Sequence, residues 1–222
     1  MIAITEWPIL FNGAMVNAIR AGRKVQTRRV IKPSRRYPID FVGGGGRDGE
    51  DWNDPGCWGF ESVNADWWLL QARDRSECQI PCPYGVPGDR LWVRESVLPV
   101  GRHPDPGPCA PFGYFYRADS FDHEWADMAR AAGERWKPSI HMPRVACRLV
   151  LEVVSVRVER VASISGEDIL DEGYWMREDP SVCGIDWFRD LWDSINGPRG
   201  FGWDVNPWVW VVEFRVVKGG RS

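Results

Sequence analysis

Two long valine-rich segments constrain the fold of this chain more than any other feature of its sequence. In residues 142–161, Val154, Val156 and Val158 alternate with polar residues, and residues 207–217, PWVWVVEFRVV, alternate in part. β-Branched residues with a period of two are typical of strands packed in a sheet. The first segment is longer than an average strand, so we expect it to bend midway. The chain is therefore predicted to fold around a β-sheet.

Helices and shorter strands are predicted in other parts of the chain. Asn12 is a good helix N-cap and Gly22 a good C-terminal stop, while Ser165 and Asp168 have the spacing of a capping box closed by Gly173. Helices are predicted at 12–22, 120–133, 163–174 and 185–197, and short strands at 8–11, 25–32, 67–71, 87–96 and 113–119.

The order of these elements predicts an α+β fold. The sequence has no regular βαβ rhythm and no Gly-rich phosphate loop, which disfavours a doubly wound nucleotide-binding fold. We expect a small mixed or antiparallel β-barrel with peripheral helices. Residues 1–222 are predicted to form one domain, with long loop-rich insertions at about 34–85 and 99–136, because these stretches separate strands rather than cores.

The composition disfavours some classes of protein and some kinds of site. No stretch approaches the ~20 apolar residues of a membrane span, and the first residues do not resemble a signal peptide, so we expect a cytoplasmic protein with reduced thiols. Cys78 and Cys82 faintly resemble half of a zinc site, but no second Cys/His pair completes it, and we predict no metal or cofactor. The 14 tryptophans are expected mostly in the core.

The charge of the chain is unevenly distributed. Its net charge is −3, yet no acidic residue occurs between Glu6 and Asp40. Such a segment is either a solvated face balanced by acids elsewhere or a surface that attracts an anionic partner, and composition leaves both open. The cations in it are Arg20, Arg23, Lys24, Arg28, Arg29, Lys32, Arg35 and Arg36.

Within that segment, Lys24 and Thr27 could share one side of the turn that follows the first helix. Neighbouring arginines would lower the pKa of Lys24 and make it a better base, and a hydroxyl beside such a base is a candidate nucleophile. The simpler interpretation is a cation that complements the helix dipole and an ordinary strand threonine. Glu172 is the second unusual residue, because a carboxylate at a helix C-terminus is disfavoured unless a cation pairs with it.

The motifs AIRAGRKVQTRR, PGDRLWVRE, SISGEDILDEGY and WVVEF occur in an order that resembles the ASCH superfamily. Together with KPSIHMPR and LWDSING, they most resemble the larger ASCH-type proteins of phages and prophages. The resemblance implies a PUA-like β-barrel that binds RNA or a modified nucleoside in a cleft, in a bacterial host or a phage-infected cell. One branch of the superfamily hydrolyses N4-acetylcytidine, and Lys24, Thr27 and Glu172 match its base, nucleophile and relay residues.

Other residues are expected to contact the ligand. Arg23, Arg28 and Arg29 are candidates for phosphate contacts. The motif that holds Arg94 and Glu95 places both near the ligand, and Tyr174 or Trp92 is a candidate to stack on a base. The choice between RNA, DNA and a free nucleoside stays open, as does the oligomeric state. The alternative function is a phage assembly or host-takeover protein that acts through protein–protein contacts.

Overall fold

A computed structural model gives the structure of the chain. It describes residues 4–32, 82–100, 113–119, 131, 133, 135–175 and 183–219, and it describes the backbone of three further strand segments at 41–42, 68–71 and 77–80.

The centre of the fold is a mixed five-stranded sheet. Its strands, in spatial order, are β1 (Glu6–Leu10), β6 (Arg90–Arg94), β9 (Val150–Arg160), β10 (Trp208–Lys218) and β2 (Gln26–Val30). Strands β1 and β6 are parallel, and the other neighbouring pairs are antiparallel. The α+β class is therefore confirmed. The helices are α1 (Gly13–Arg20), α2 (Gly166–Asp171) and α3 (Gly184–Asn196).

Both faces of this sheet are covered. Alternate residues of β10, such as Trp210 and Val212, pack in a core with Val16 and Ile19 of α1. The residues between them pack in a second core with α2 and α3, where Val211 belongs to the same cluster. Because both faces are buried, β10 is continuously buried from Trp208 to Val212 instead of alternating with solvent.

The two edges of the sheet come close to each other. Pro8 and Leu10 of β1 line the same cavity as Thr27 and Arg29 of β2. The Nη2 atom of Arg29 also donates a hydrogen bond to the Leu10 carbonyl at 2.8 Å. The sheet is therefore strongly curled. No strand ladder joins β1 to β2 in the described part of the chain, so the curled sheet is open along this line and is not a closed barrel.

The two predicted insertions contain more regular structure than loops alone. A three-stranded antiparallel sheet is formed by β3 (Phe41–Val42), β4 (Trp68–Gln71) and β5 (Glu77–Ile80), of which only β4 was predicted. Strand β7 (Val97–Val100) pairs with β8 (Gly113–Tyr116), which matches the predicted strand at 113–119. The helix predicted at 120–133 lies almost wholly outside the described residues.

Most local predictions near the site are confirmed. The Asn12 side chain accepts a hydrogen bond from the Met15 amide, and Ser165 and Asp168 form a reciprocal capping box. The valine-rich segment does not form one long strand, because residues Arg144–Ala146 form a 3₁₀ turn before β9 begins. Residue His141, expected on a strand, ends another 3₁₀ turn, as the flanking prolines explain.

The tryptophans are less buried than expected. Among those whose side chains are described, Trp192, Trp208 and Trp210 are buried, and the others are partly or largely exposed. No helix in the described residues is long and apolar enough to cross a membrane.

The contrast in exposure between neighbouring valines of β9 gives a test of the fold. We expect Val153→Ala to lower the free energy of unfolding by about 2 kcal/mol, because this side chain is 1% exposed and its loss leaves a cavity. The neighbouring Val154→Ala is the control, since Val154 is 51% exposed and its truncation should cost about 0.5 kcal/mol or less. Urea denaturation measures both. Equal losses would contradict the assignment of faces.

Candidate functional site

The candidate site forms where the chain leaves α1 and meets the end of α2. Gly22 ends α1 with a φ of 73°, in the left-handed region that suits glycine. Lys24 then makes an isolated antiparallel bridge with Glu172, the C-cap residue of α2. Gly173 allows this approach, since a Cβ there would lie 3.2 Å from the Lys24 Cβ and 3.3 Å from the Ala18 Cβ. Residues distant in sequence are thereby brought together.

Lys24 and Glu172 form a buried ion pair. The Lys24 Nζ lies 2.5 Å from Glu172 Oε2 and donates a second hydrogen bond to the Glu172 carbonyl at 3.0 Å. The two side chains are 0% and 4% exposed. The lysine is thus the cation that relieves the unfavourable position of a carboxylate at the end of α2.

Burial lowers the pKa of Lys24. The nearby positive charges of Arg29 and Arg28 act in the same direction, while Glu172 acts to raise it. The predicted direction is confirmed, but its main cause is removal of the ammonium group from water rather than the neighbouring arginines.

Arg28 joins this pair to a larger set of charges. Its Nη1 atom contacts Glu172 Oε1 at 3.2 Å, so both oxygens of that carboxylate have a cationic partner. Its Nε donates to Glu159 at 2.8 Å, and Nη2 contacts both Glu159 and Asp168. Arg28 is only 3% exposed. It is therefore a buried structural cation rather than a free phosphate contact.

The set continues across the sheet beneath α2. The Arg157 Nη2 lies 2.6 Å from Asp168 Oδ1, and Arg157 also pairs with Glu213. Gln26 donates to Asp168 at 2.9 Å and accepts from Arg157 at 3.0 Å. We call this the charged cluster; its members are Lys24, Gln26, Arg28, Arg157, Glu159, Asp168, Glu172 and Glu213.

Asp168 is the centre of that network. Burial acts to raise its pKa, but hydrogen bonds from Gln26 and Ser165 and the charge of Arg28 outweigh burial and lower the pKa well below its usual range. The carboxylate is therefore held ionised, which favours its role as an anchor for both arginines.

Thr27 lies on the other face of β2 from Arg28. It is opposite Val212 in the ladder with β10, whereas Arg28 is opposite Val211. Its hydroxyl makes no hydrogen bond with Lys24 among the described residues, because the lysine donates to Glu172 instead. Both Thr27 and Glu172 nevertheless line one cavity, which brings the candidate nucleophile and relay to a shared space.

This cavity has a volume of about 560 Å³ and lies along the open line between β1 and β2, so we call it the seam cavity. Four cations and four aromatic side chains line it, against a single carboxylate among the described lining residues, that of Glu172. The cations are Arg28, Arg29, Lys32 and Arg199, and the aromatic residues are Phe11, Tyr84, Phe188 and Trp192.

The remaining predicted ligand residues do not line the seam cavity. Arg94 donates to the Ile140 carbonyl and packs on Trp92. Glu95 is 1% exposed and forms a two-pronged ion pair with Arg148, at 2.8 and 2.9 Å. These contacts give both residues structural roles that the motif alone did not indicate.

Two further candidates, Arg23 and Tyr174, each pack against a tryptophan. Arg23 packs over the ring of Trp175, at 5.5 Å from its centre. Tyr174 packs against Trp187 in the core beside α3, with ring centres 5.4 Å apart. Neither lines the seam cavity.

Sequence reasoning missed the aromatic wall of the cavity and half of the charged cluster. Phe188 and Trp192 lie four residues apart on α3, a spacing that by itself indicates only a core face. Arg157 and Glu159 lie on β9, where their ion pairs with Asp168 and Arg28 place them under α2. Two opposite charges close in sequence to Asp168 could have indicated a network of ion pairs, although only the fold brings its members together.

Cys82, one of the two cysteines compared with half of a zinc site, is a buried free thiol. Burial raises the pKa of the Cys82 thiol to about 12, so it stays protonated at neutral pH. Within the described ranges, no group of three or more His, Cys, Asp or Glu side chains is arranged to hold a metal ion.

Comparisons with known proteins give no match: no family model, no curated protein and no solved structure matches the chain.

A double-mutant cycle tests the buried pair. We expect Glu172→Gln to lower the free energy of unfolding by about 3–5 kcal/mol, because it leaves the buried Lys24 ammonium group without a carboxylate. Lys24→Met should lower it by about 2–3 kcal/mol, because Arg28 still pairs with Glu172. The loss in the double variant should be about 1–3 kcal/mol smaller than the sum of the two single losses. Chemical denaturation gives the values.

The surface pair Arg144–Glu6, whose side chains are 45% and 38% exposed, is the matched control. Its coupling energy should be about 1 kcal/mol or less. Additive losses at Lys24 and Glu172 would show that the two side chains do not depend on each other.

Proposed function

We propose that this chain binds RNA or a modified nucleoside in the seam cavity. The observation that carries the proposal is the composition of the cavity wall, in which aromatic rings and cations surround a space large enough for a nucleotide-sized ligand. Glu172 is already neutralised by Lys24 and Arg28. The field inside the cavity is therefore positive, although the whole chain has a net charge of −3.

The apolar part of the wall supports a base rather than a simple anion. Phe188 and Trp192 come from α3, and Phe11 comes from the turn between β1 and α1. Aromatic faces stack on bases with little dependence on sequence, and each such contact contributes about 1–3 kcal/mol to binding. Cations beside aromatic faces are the combination that single-stranded nucleic acids and nucleotides require.

We also propose that the chain is an ASCH-type protein with an opened PUA-like barrel. The curled sheet and its two adjacent edges support this, since a barrel that loses one ladder becomes such a sheet. Three of the four motifs that resemble the superfamily lie on α1, β2, α2 and β10, elements that position the charged cluster, and PGDRLWVRE lies on β6. The proposal further expects the segments at about 34–85 and 99–136 to be additions to that barrel.

Binding can be tested with exposed cations of the cavity. We expect Lys32→Ala combined with Arg199→Ala to weaken the binding of single-stranded RNA and to reduce the slope of log K against log salt by about 2. Fluorescence anisotropy of a labelled oligonucleotide over a salt series measures both quantities.

The matched control combines Arg117→Ala with Lys218→Ala, which removes the same charge from exposed positions outside the cavity. This variant should retain the affinity and the slope of the unmodified protein. An equal loss in both double variants would indicate attraction by net charge alone and would contradict binding in the cavity.

Hydrolysis of an N4-acylated cytidine is the second candidate function. Thr27 and Glu172 share the cavity, and Lys24 donates a hydrogen bond to Glu172. Because burial lowers the pKa of Lys24, its ammonium group can pass a proton to the Glu172 carboxylate and become the amine that accepts the next proton. In the proposed reaction, Lys24 takes the Thr27 proton as the hydroxyl oxygen attacks the acyl carbonyl. Glu172 holds the lysine and relays the proton to the departing amine. Water then releases the acyl group from Thr27 as a carboxylic acid.

The hydrolase hypothesis predicts that the purified protein releases acetate from N4-acetylcytidine. Thr27→Val should abolish the release, because it removes the hydroxyl and keeps the shape of the side chain, whereas Thr27→Ser should retain part of it. Chromatography of cytidine and acetate gives the rates. No turnover on a panel of N4-acylcytidines, or full turnover by Thr27→Val, would leave binding as the function.

A further inference from the structure

The most unusual cation of the seam cavity is Arg29. Its Nη2 donates to the Leu10 carbonyl at 2.8 Å, its Nη1 donates to the Arg28 carbonyl at 3.3 Å, and its guanidinium lies 5.1 Å from the centre of the Phe11 ring. Carbonyl contacts and an aromatic face fix the plane of the guanidinium. The side chain is therefore held in place at the seam and lines the cavity.

Arg29 has a binding capacity that its surroundings do not use. A guanidinium has five N–H donors, and these contacts use two of them. Within the described residues, Arg29 forms no ion pair with a carboxylate, in contrast to the neighbouring Arg28, which contacts three. Burial lowers the pKa of Arg29, Tyr84 and Glu172 act to raise it, and the charge of Arg199 acts in the same direction as burial. A partly desolvated cation with no carboxylate in ion-pair contact gains most from an anion that enters with the ligand.

Two further cations face the same space. Lys32 and Arg199 are both exposed and line the cavity, and neither forms an ion pair with a described carboxylate. In the described part of the chain, Arg199 donates a hydrogen bond to the Asn196 side chain, at 3.4 Å. A fixed guanidinium with two adaptable cations beside it suits a phosphate group, which offers several oxygens and up to two negative charges.

We infer that the seam cavity selects phosphorylated ligands, with Arg29 binding the phosphate of a nucleotide whose base contacts the aromatic wall. This inference rests on the proposed function and narrows its ligand from a free nucleoside to a nucleotide. A terminal phosphate and a phosphodiester within a strand share this chemistry, and the experiment separates them.

The test compares nucleosides with their monophosphates. Isothermal titration calorimetry at fixed ionic strength measures the affinity for cytidine and for N4-acetylcytidine, each as the nucleoside and as its monophosphate. It also measures the affinity for a short single-stranded oligoribonucleotide without terminal phosphates. We expect the unmodified protein to prefer the monophosphate by roughly tenfold or more, as for a charge-assisted hydrogen-bonded contact. In Arg29→Gln the ratio of the monophosphate affinity to the nucleoside affinity should fall toward one, even if the affinity for the nucleoside also changes.

Two variants make the comparison specific. Arg29→Lys retains the charge but loses the planar fork, so its preference should lie between those of the unmodified protein and Arg29→Gln. Arg117→Gln changes the same charge at an exposed position outside the cavity and should keep the full preference. Circular dichroism confirms folding of each variant. Because the readout is a ratio of two affinities on one protein, a general loss of stability does not imitate it.

The outcomes separate the two proposals. Equal affinity of the unmodified protein for nucleosides and monophosphates would overturn the phosphate inference and leave the proposed function standing. A preference that persists in Arg29→Gln would overturn the role of Arg29. Tight binding of the oligonucleotide that depends on Arg29, with weaker binding of the monophosphates, would support the phosphodiester as the group recognised. No binding of any of these ligands would overturn the proposed function itself.

Discussion

The fold around the site depends on the burial of the Lys24 ammonium group. Transfer of such an ion from water costs several kcal/mol unless a carboxylate of matching geometry accompanies it. Glu172 meets this need only if the end of α2 lies against the turn after α1, and Gly173 leaves room for that approach. One ion pair therefore fixes the position of a six-residue helix that has little apolar surface of its own.

The charged cluster extends this constraint across the sheet. Arg28 and Arg157 lie on neighbouring positions of β2 and β9 on either side of β10, and Asp168 joins them from above. Its three cations are all paired with its four carboxylates, so the cluster holds α2 but has little capacity for an external anion. The cations of the seam cavity are different, since Arg29, Lys32 and Arg199 form no ion pair with a described carboxylate. Structural and ligand-facing charges thus come from adjacent residues of one basic segment.

This separation shows what the sequence could and could not predict. Periodicity and capping residues gave the helices at Asn12 and Ser165, because these signals act within a few residues. They also singled out Lys24 and Glu172 as a base and a disfavoured carboxylate. The face on which each arginine lies was not predictable, since it depends on the register between β2 and β10. The partner of Glu95 was not predictable either, because Arg148 reaches it from a distant segment.

The open line between β1 and β2 has a consequence for the behaviour of the protein at high concentration. An exposed strand edge is a template for pairing with another chain, and it leads to aggregation when it is flat and apolar. Here Pro8 interrupts the donors of one edge, while Arg29 places positive charge along the other. Two copies that approached through these edges would meet a missing amide or like charges. These two residues of the cavity wall thereby also disfavour edge-to-edge self-association.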